Sequence, residues 1–361
     1  EYGAILTILD QTGGGSSWSK WGKVLIESLK SALKKPDPYD VLVIEMGVDK
    51  PGDMSEILKI FSPDVMVFLN VKDVHRAEGQ FPNREAIFEE KARAALSVPP
   101  EGWVILNIDD PFVRTLVDKL PANLIKIGTS EGADIGAKDI VMNSHGLKFT
   151  LCFENKEISV SLPHILGDCH MHVILAAVAV GFVFGMPWKT IEAGLHEYRL
   201  PPGRMNRLDG LNHSVLLDSS YNASPDTMEA ALHTLSMFPG RKIAALGSMN
   251  ELGELSDSAH VKIGKLAAEY ADMLIAVGEQ AQNMAEGAHR AGMSASMIHV
   301  FRTSKEAGQY LSQILESGDT VLAKGSQNKV RMEHLVKLCM KEPEKARQLL
   351  VRQEPYWLTQ L

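Results

Sequence analysis

Cysteine is scarce and unpatterned, with Cys152, Cys169 and Cys339 scattered through 361 residues. An odd, dispersed set builds neither a disulfide framework nor a CxxC metal or redox motif, which fits a reducing cytoplasm. Long apolar runs are also missing. The longest, Val173 to Trp188, has 16 residues with two glycines inside; crossing a bilayer takes about 20, so it reads as a buried core helix. No Lys/Arg-rich run stands out, and the formal net charge is −8. Without a basic footprint, nucleic acid is excluded as a partner. The chain opens on Glu1 with no basic-then-apolar leader, so no secretion signal is expected, and the missing start methionine suggests a lost beginning.

What is present is ordinary globular composition, 45% apolar and 23% charged. A length of 361 residues exceeds what one hydrophobic core usually organises, so two domains are expected. Strand-like apolar runs, each ending in Gly, Asn, Asp or Ser and followed by a helix-period segment, predict a parallel α/β class. In the first half these are Ala4–Leu9, Val41–Gly47, Val65–Asn70, Trp103–Asn107 and Leu124–Ile127. Two alternating runs, Gly146–Phe153 and Glu157–Leu162, flank Glu154-Asn155-Lys156 and predict a β-hairpin. Helices are expected over 173–184 and 188–197. Leu200-Pro201-Pro202-Gly203 is the best linker, since consecutive prolines block helix continuation. The second half repeats the pattern with Ser214–Asp218, Lys242–Gly247, Met273–Val277, Met297–Phe301 and Thr320–Ala323. The charged tail Lys341–Arg352 reads as a solvated helix.

In open parallel sheets ligands bind beyond the carboxyl ends of the strands. Those positions hold Glu45, Asn70 to His75, Asn107 to Asp110, Asp218 to Asn222, Gly247 to Glu251 and Lys324 to Ser326. Such a polar set, drawn from both halves, suits a cleft between two domains. Gly13-Gly14-Gly15 does not make a Walker loop, which needs GxxxxGK[ST]: Gly22-Lys23 is followed by Val24, and Ser17 stands five residues before Gly22. Glu45, a carboxylate at a strand end, has the hard oxygen that Mg²⁺ favours. His75 taken singly reads more readily as a surface or hydrogen-bonded histidine than as a ligand, and Lys91, beside Glu89 and Glu90, more readily as a solvated helix lysine. The stretch Asp218 to Pro225 opens a helix with hydroxyls and amides that suit an anion or ribose, and equally suit a helix cap. Lys324-Gly325-Ser326 combines a cation, a close backbone approach and a hydroxyl, as a substrate carboxylate would need; a glycine turn is the plain alternative.

In order along the chain stand VIEMGVDKPGDM (43–54), PDVMVFLNVKDVH (63–75), EAIFEEKA (85–92), VILNIDDP (104–111), GRM (203–205), LLDSSYNASPDTMEAAL (216–232), LGSMNELGELS (246–256) with His260, and VLAKGSQNKVRME (321–333). Together they resemble the Mur ligases, and among these the MurF type, which joins D-alanyl-D-alanine to a UDP-N-acetylmuramoyl-tripeptide. YNASP with LGSMNELG is the most specific part. The resemblance implies a truncated central ATPase-like domain over 1–199, mostly parallel sheet plus a β-hairpin, and a Rossmann-like C-terminal α/β domain over 200–361. It implies an ATP- and Mg²⁺-dependent, cytoplasmic, monomeric amide ligase of peptidoglycan precursor synthesis, working through an acyl phosphate.

By motif position, Glu45 and His75 would be Mg²⁺ ligands, and Lys91 would be a carbamylated lysine that joins them. Lys91, His75 and Arg204 would form the catalytic set. Arg204 would contact nucleotide phosphate, with Asn70, His170, Asp218 and Asn222 near the nucleotide. Lys324, Ser326, Asn250 and Glu251 would face the dipeptide. Ser219 stands where a second aspartate is often found, Ser248 replaces the aspartate of an LGDM-like segment, and Cys169-His170 replaces histidine and asparagine. The family's phosphate loop and UDP-sugar domain are expected before residue 1, so this chain alone is expected not to turn over. The alternatives are a non-catalytic relative that binds nucleotide or precursor, and a Mur-family ligase with another amino substrate.

Overall fold

The computed structural model describes residues 18–33, 39–72, 79–167, 170–327 and 329–358. The expected strand Ala4–Leu9, the triple glycine, His75 and Cys169 lie outside the described residues. The chain divides into two compact units, residues 1–106 with 110–124, and residues 107–109 with 125–361.

In the first unit β1 (Val65–Phe68) pairs in parallel with β2 (Trp103–Asn107), from Val65 opposite Trp103 to Phe68 opposite Leu106. Phe68, Val104 and Leu106 pack with Ile87, Ala94 and Ala95 of the helix Arg84–Leu96. That helix begins at Arg84 because the Asn83 carboxamide oxygen accepts from the Ala86 amide at 2.8 Å, satisfying one of its unpaired first-turn donors. The expected strand Val41–Gly47 is corrected: residues 41–48 pair with no strand among the described residues, and Val43 is 85% exposed. β-branched residues favour extended backbone, yet a strand exists only through hydrogen bonds to a neighbour.

The second unit contains β3 (Asn123–Gly128) from Ile125 onward, β4 (Ile135–Asn143), β5 (Gly146–Phe153) and β6 (Lys156–Leu162). β3 and β4 run parallel; β4, β5 and β6 run antiparallel. The expected hairpin is β5–β6, tightened to a two-residue loop in which Glu154 and Asn155 take φ of 47° and 62°. Positive φ at both loop positions matches the right-handed strand twist. The helix Met171–Val183 follows, with Ile174, Leu175, Val178 and Ala179 buried. Among the described residues no helix is long and apolar enough to cross a membrane.

Beyond the 200–203 link, β7 (Asn206–Asp209), β8 (Val215–Ser219), β9 (Lys242–Gly247), β10 (Met273–Val277), β11 (Ile298–Phe301) and β12 (Thr320–Lys324) form one sheet in the order β11-β10-β9-β12-β8-β7. All pairs are parallel except β7–β8. Both faces are covered, one through Leu217, Ala244, Leu246 and Leu322, the other through Leu216, Ile243, Ala245 and Val321. Double burial explains why these strands read as unbroken apolar runs. The tail is corrected as well. Residues 341–352 form short turns rather than one solvated helix, and Ala346, Leu350 and Arg352 are buried. Charge composition suggested a wet helix, but the burial of Arg352 rests on a buried counter-charge described below.

Candidate functional site

In the first unit Lys91 lies on the helix Arg84–Leu96 beside the buried Glu90, whose Oε1 accepts from the Met54 amide at 2.8 Å. Burial pushes the Lys91 ammonium below its ordinary pKa, while the negative charge of Glu45 partly restores it. The charge of Glu45 is therefore felt at Lys91. Asn70 is exposed, just past β1. The next residue is pinned at both ends: the Val71 amide donates to Asp110 Oδ2 at 3.1 Å, and its carbonyl accepts from Arg84 Nε at 2.8 Å. Asp110 also caps the short helix Pro111–Arg114. Among the described residues no group of three His, Cys, Asp or Glu side chains could hold a metal. Glu45 offers an oxygen ligand, whereas Lys91 as an ammonium does not and would fit a cation only as an anionic carbamate.

In the second unit His170 stands at the N-cap position of Met171–Val183 and makes no capping bond from its side chain. Its neighbour His172, missed in the sequence, meets Asp109 Oδ2 at 2.7 Å. Burial alone would raise Asp109, but hydrogen bonds from Ser130, His172 and Thr129 hold it well below the usual carboxylate range.

Three segments from distant parts of the sequence converge at the carboxyl ends of β8, β12 and β9. In the ladders Lys324 lies opposite Ser219 on one side and Leu246 on the other. Lys324 Nζ donates to Ser219 Oγ at 3.1 Å and to the Asn222 carbonyl at 2.9 Å. Ser326 Oγ donates to the Ala223 carbonyl at 3.1 Å and accepts from the Asn250 amide at 2.9 Å. Asn250 Nδ2 in turn donates to the Gln327 carbonyl at 3.0 Å. Room for this crossing comes from glycine, since a Cβ on Gly325 would lie 2.7 Å from Met332 Cγ and 3.0 Å from Gly247 Cα.

Asp218 is fully buried beneath this layer. Its Oδ1 accepts from the Ser220 amide at 3.1 Å. Burial raises its pKa to about 6, and the negative charge of Glu333 adds to the shift against hydrogen bonds from Ser220 and Gly203. His260, also buried, accepts the Met249 amide on Nε2 at 2.8 Å and donates from Nδ1 to the Ser256 carbonyl at 2.7 Å. The Met249 amide needs an acceptor, which requires a neutral imidazole, and burial lowers the His260 pKa accordingly.

Two cavities flank the convergence. One, of about 400 Å³, is lined by Ser248, Asn250, Glu251, Gln280 and Lys329 among others. The second, of about 680 Å³, is lined by Arg204, Tyr221, Gln327, Arg347 and Trp357 among others. Arg204 stacks on the Tyr221 ring at 3.9 Å, a cation–π contact. Thus Asn250 and Glu251 line the first cavity and Arg204 the second, while Lys324, Ser326 and Asp218 frame the loops behind them. Sequence reasoning missed Arg331, Glu333 and Arg352, which form a buried ion network under the same loop. The string VRME runs into the helix Glu333–Cys339, and nothing local in it marks its charges as buried.

With this geometry in view, likeness to known proteins follows the same segments. Residues 25–181 match the Mur ligase middle domain, and residues 203–327 match the Mur ligase, glutamate ligase domain. The UDP-N-acetylmuramoyl-tripeptide–D-alanyl-D-alanine ligase of Escherichia coli (strain K12) is 28% identical over 84% of this chain and 66% of its own length. Its counterpart in Mycobacterium tuberculosis (strain H37Rv) is 30% identical over 82% of this chain and 62% of its own. The chain therefore spans a little under two thirds of the length of these curated relatives. The crystal structure of MurF ligase from Thermotoga maritima in complex with ADP superposes with a TM-score of 0.73 at 25% identity, covering 95% of this chain and 77% of that one. Matched by both domain families and by MurF proteins in sequence and structure, the chain belongs to the Mur ligases, of which it carries the middle and C-terminal domains, close to the MurF type.

Proposed function

We propose that this chain carries the nucleotide- and dipeptide-handling parts of an ATP-dependent ligase that joins D-alanyl-D-alanine to a UDP-N-acetylmuramoyl-tripeptide in cytoplasmic peptidoglycan precursor synthesis. The observation that carries it is the meeting of Asp218–Asn222, Gly247–Glu251 and Lys324–Gln327 at the carboxyl ends of three adjacent strands. In the reaction the tripeptide carboxylate takes the γ-phosphoryl group of ATP, releasing ADP. The dipeptide amine then attacks the acyl carbon, and phosphate leaves from a tetrahedral intermediate as the amide forms.

The proposed work of the residues around the β8, β12 and β9 ends follows from where they sit. Asn250 and Glu251, in the wall of the smaller cavity, face the dipeptide. Lys324, with Ser326 behind it, supplies the positive field that attracts the dipeptide carboxylate. Arg204, stacked on Tyr221, offers a planar cation to phosphate. By motif position Asn70 of the first unit, and Asn222 and His170 of the second, are assigned to the nucleotide, and Asp218 acts through the loop that it pins. Lys91, His75 and Arg204 are assigned the catalytic roles by motif position alone. Mg²⁺ would be held by Glu45, His75 and Lys91 as its carbamate, and would offset phosphate charge. A lysine with a depressed pKa, beside the Glu45 charge, is suited to carbamate formation because only the neutral amine attacks CO₂.

In this proposal the middle domain runs over 1–199 and the C-terminal domain over 200–361, and the chain acts as a monomer. No GxxxxGK[ST] stretch occurs in these 361 residues, so the reading predicts binding rather than turnover by this chain alone. Calorimetric titration with D-alanyl-D-alanine and with Mg²⁺–ATP tests it, together with ¹³C-bicarbonate labelling of Lys91. Dipeptide binding supports the reading. Binding of neither ligand would favour a non-catalytic relative.

A further inference from the structure

The loop between β8 and the helix Pro225–Ser236 is held by its carbonyls. Four in succession are each taken by a side chain from elsewhere: Ser220 and Tyr221 by Arg352, Asn222 by Lys324, and Ala223 by Ser326. Lys324 ends the strand beside β8 and Ser326 lies just past it, whereas Arg352 comes from the tail. Arg352 Nη1 lies 3.2 Å from the Ser220 carbonyl and 3.1 Å from Glu333 Oε2. Glu333 Oε1 accepts from Arg331 Nε at 2.9 Å, and Arg331 Nη1 donates to the Trp357 carbonyl at 2.8 Å. Glu333 is fully buried and both arginines nearly so. Arg331 and Arg352 also take left-handed backbone, with φ of 52° and 57°. A side chain other than glycine pays strain in that region, and two such residues on one carboxylate show a geometry imposed by its surroundings.

A buried charge triad of this kind is weak evidence for stability, because desolvation offsets much of the attraction. Its geometry has a more specific consequence. We propose that Glu333 is a positioning residue for the candidate site: by orienting Arg352 it fixes the Ser220 and Tyr221 carbonyls, and through them the Lys324 ammonium and the Tyr221 ring under Arg204. The inference deepens the reading of this site as a ligand pocket and rests on it for the nature of the ligand. Two further contacts fit the role. Arg352 lies 5.7 Å from the Tyr221 ring centre and 5.9 Å from that of Trp357, so the tail aromatic packs on the same guanidinium. Gly203, whose Cβ would lie 2.9 Å from the Tyr221 amide nitrogen, closes the loop from the other side.

The test uses the whole chain with Glu333→Gln, Arg352→Lys and the control Asp319→Asn. Asp319 pairs with Arg241 at the opposite end of β9 and β12, so the control disturbs the same sheet away from the site. Arg352→Lys keeps the charge while losing the forked donor, and serves if Glu333→Gln fails to fold. Amide hydrogen exchange is followed across 219–223 and across β10, and D-alanyl-D-alanine affinity by calorimetry. Exchange at 219–223 is expected to rise about tenfold beyond any change in β10 for both site variants, and dipeptide affinity to fall about tenfold. Asp319→Asn is expected to leave that ratio and the affinity unchanged. A rise at 219–223 that merely tracks β10, or that appears equally in Asp319→Asn, overturns the proposal. If the unaltered chain binds no dipeptide while the loop loosens selectively, the positioning role stands and the dipeptide reading falls.

Discussion

Lys324 Nζ and the carbonyl oxygen of Asn222 are 2.9 Å apart across 102 positions of sequence. The bond runs from the end of β12 to the loop after β8, and makes a buried ammonium a structural tie as well as a local source of positive charge. Replacing it by an apolar chain of similar length separates these two roles. Lys324→Met is expected to leave the Asn222 carbonyl without this donor and to cost about 1–3 kcal/mol in urea unfolding. A variant as stable as the parent would show that the tie contributes nothing.

Asp218 makes stability depend on pH in an unusual direction. Its folded carboxyl titrates at about 6, whereas an unfolded aspartate titrates near 3.9. Between those values the folded chain keeps a proton that the unfolded chain has released, so stability falls as pH rises. From this group the loss is roughly 2–3 kcal/mol, complete above pH about 6. Asp218→Asn should remove the loss, so that the variant gains on the parent between pH 4 and pH 8. Urea midpoints at pH 4, 6 and 8 check this, and parallel curves for the two proteins would contradict it.

His260 has the opposite sign. Burial holds its folded pKa below the unfolded value of about 6.5, so the unfolded chain takes up the proton first and stability is lost as pH falls below that value. His260→Ala should flatten this acid limb and leave the Met249 amide without its acceptor. The cost is about 1–3 kcal/mol near pH 7.5, with faster exchange of the Met249 amide. Unchanged exchange at that amide would show that the imidazole does not hold the 248–253 loop.

Much of this was legible in the chain, for identifiable reasons. β8, β9, β10 and β12 are buried on both faces, so their apolar runs are continuous and the polar residues beyond them stand out. The hairpin was visible from two alternating runs, although Lys156 belongs to β6 rather than to the turn. β4 escaped notice because its middle, from Lys138 to Val141, is exposed and bulged against β5, which breaks the alternation. Val41–Gly47 has strand composition without a partner among the described residues, and composition does not supply one. The Arg331–Glu333–Arg352 network was illegible because its members come from separate segments, and a charged tail looks the same in sequence whether wet or buried.

Gly325 offers a steric test. A methyl group there would press on Met332 and on the Gly247 backbone, and backbone cannot swing aside. Gly325→Ala is expected to cost about 1–3 kcal/mol. Gly194, in the helix Trp188–Glu197 with nothing within 4 Å of an added Cβ, provides the contrast. Gly194→Ala should stabilise by about 0.5–1 kcal/mol. Thermal unfolding of the pair checks both signs, and tolerance at 325 would mean that the β9–β12 crossing has slack.

The central claim is that the joined ends of β8, β12 and β9 form the dipeptide site of a Mur ligase. Calorimetric titration of the folded chain with D-alanyl-D-alanine, beside Lys324→Ala, tests it most directly. The account predicts saturable binding by the parent and at least tenfold weaker binding by the variant, as expected when a charged partner of a ligand carboxylate is removed. Binding that is equal in both proteins would contradict it.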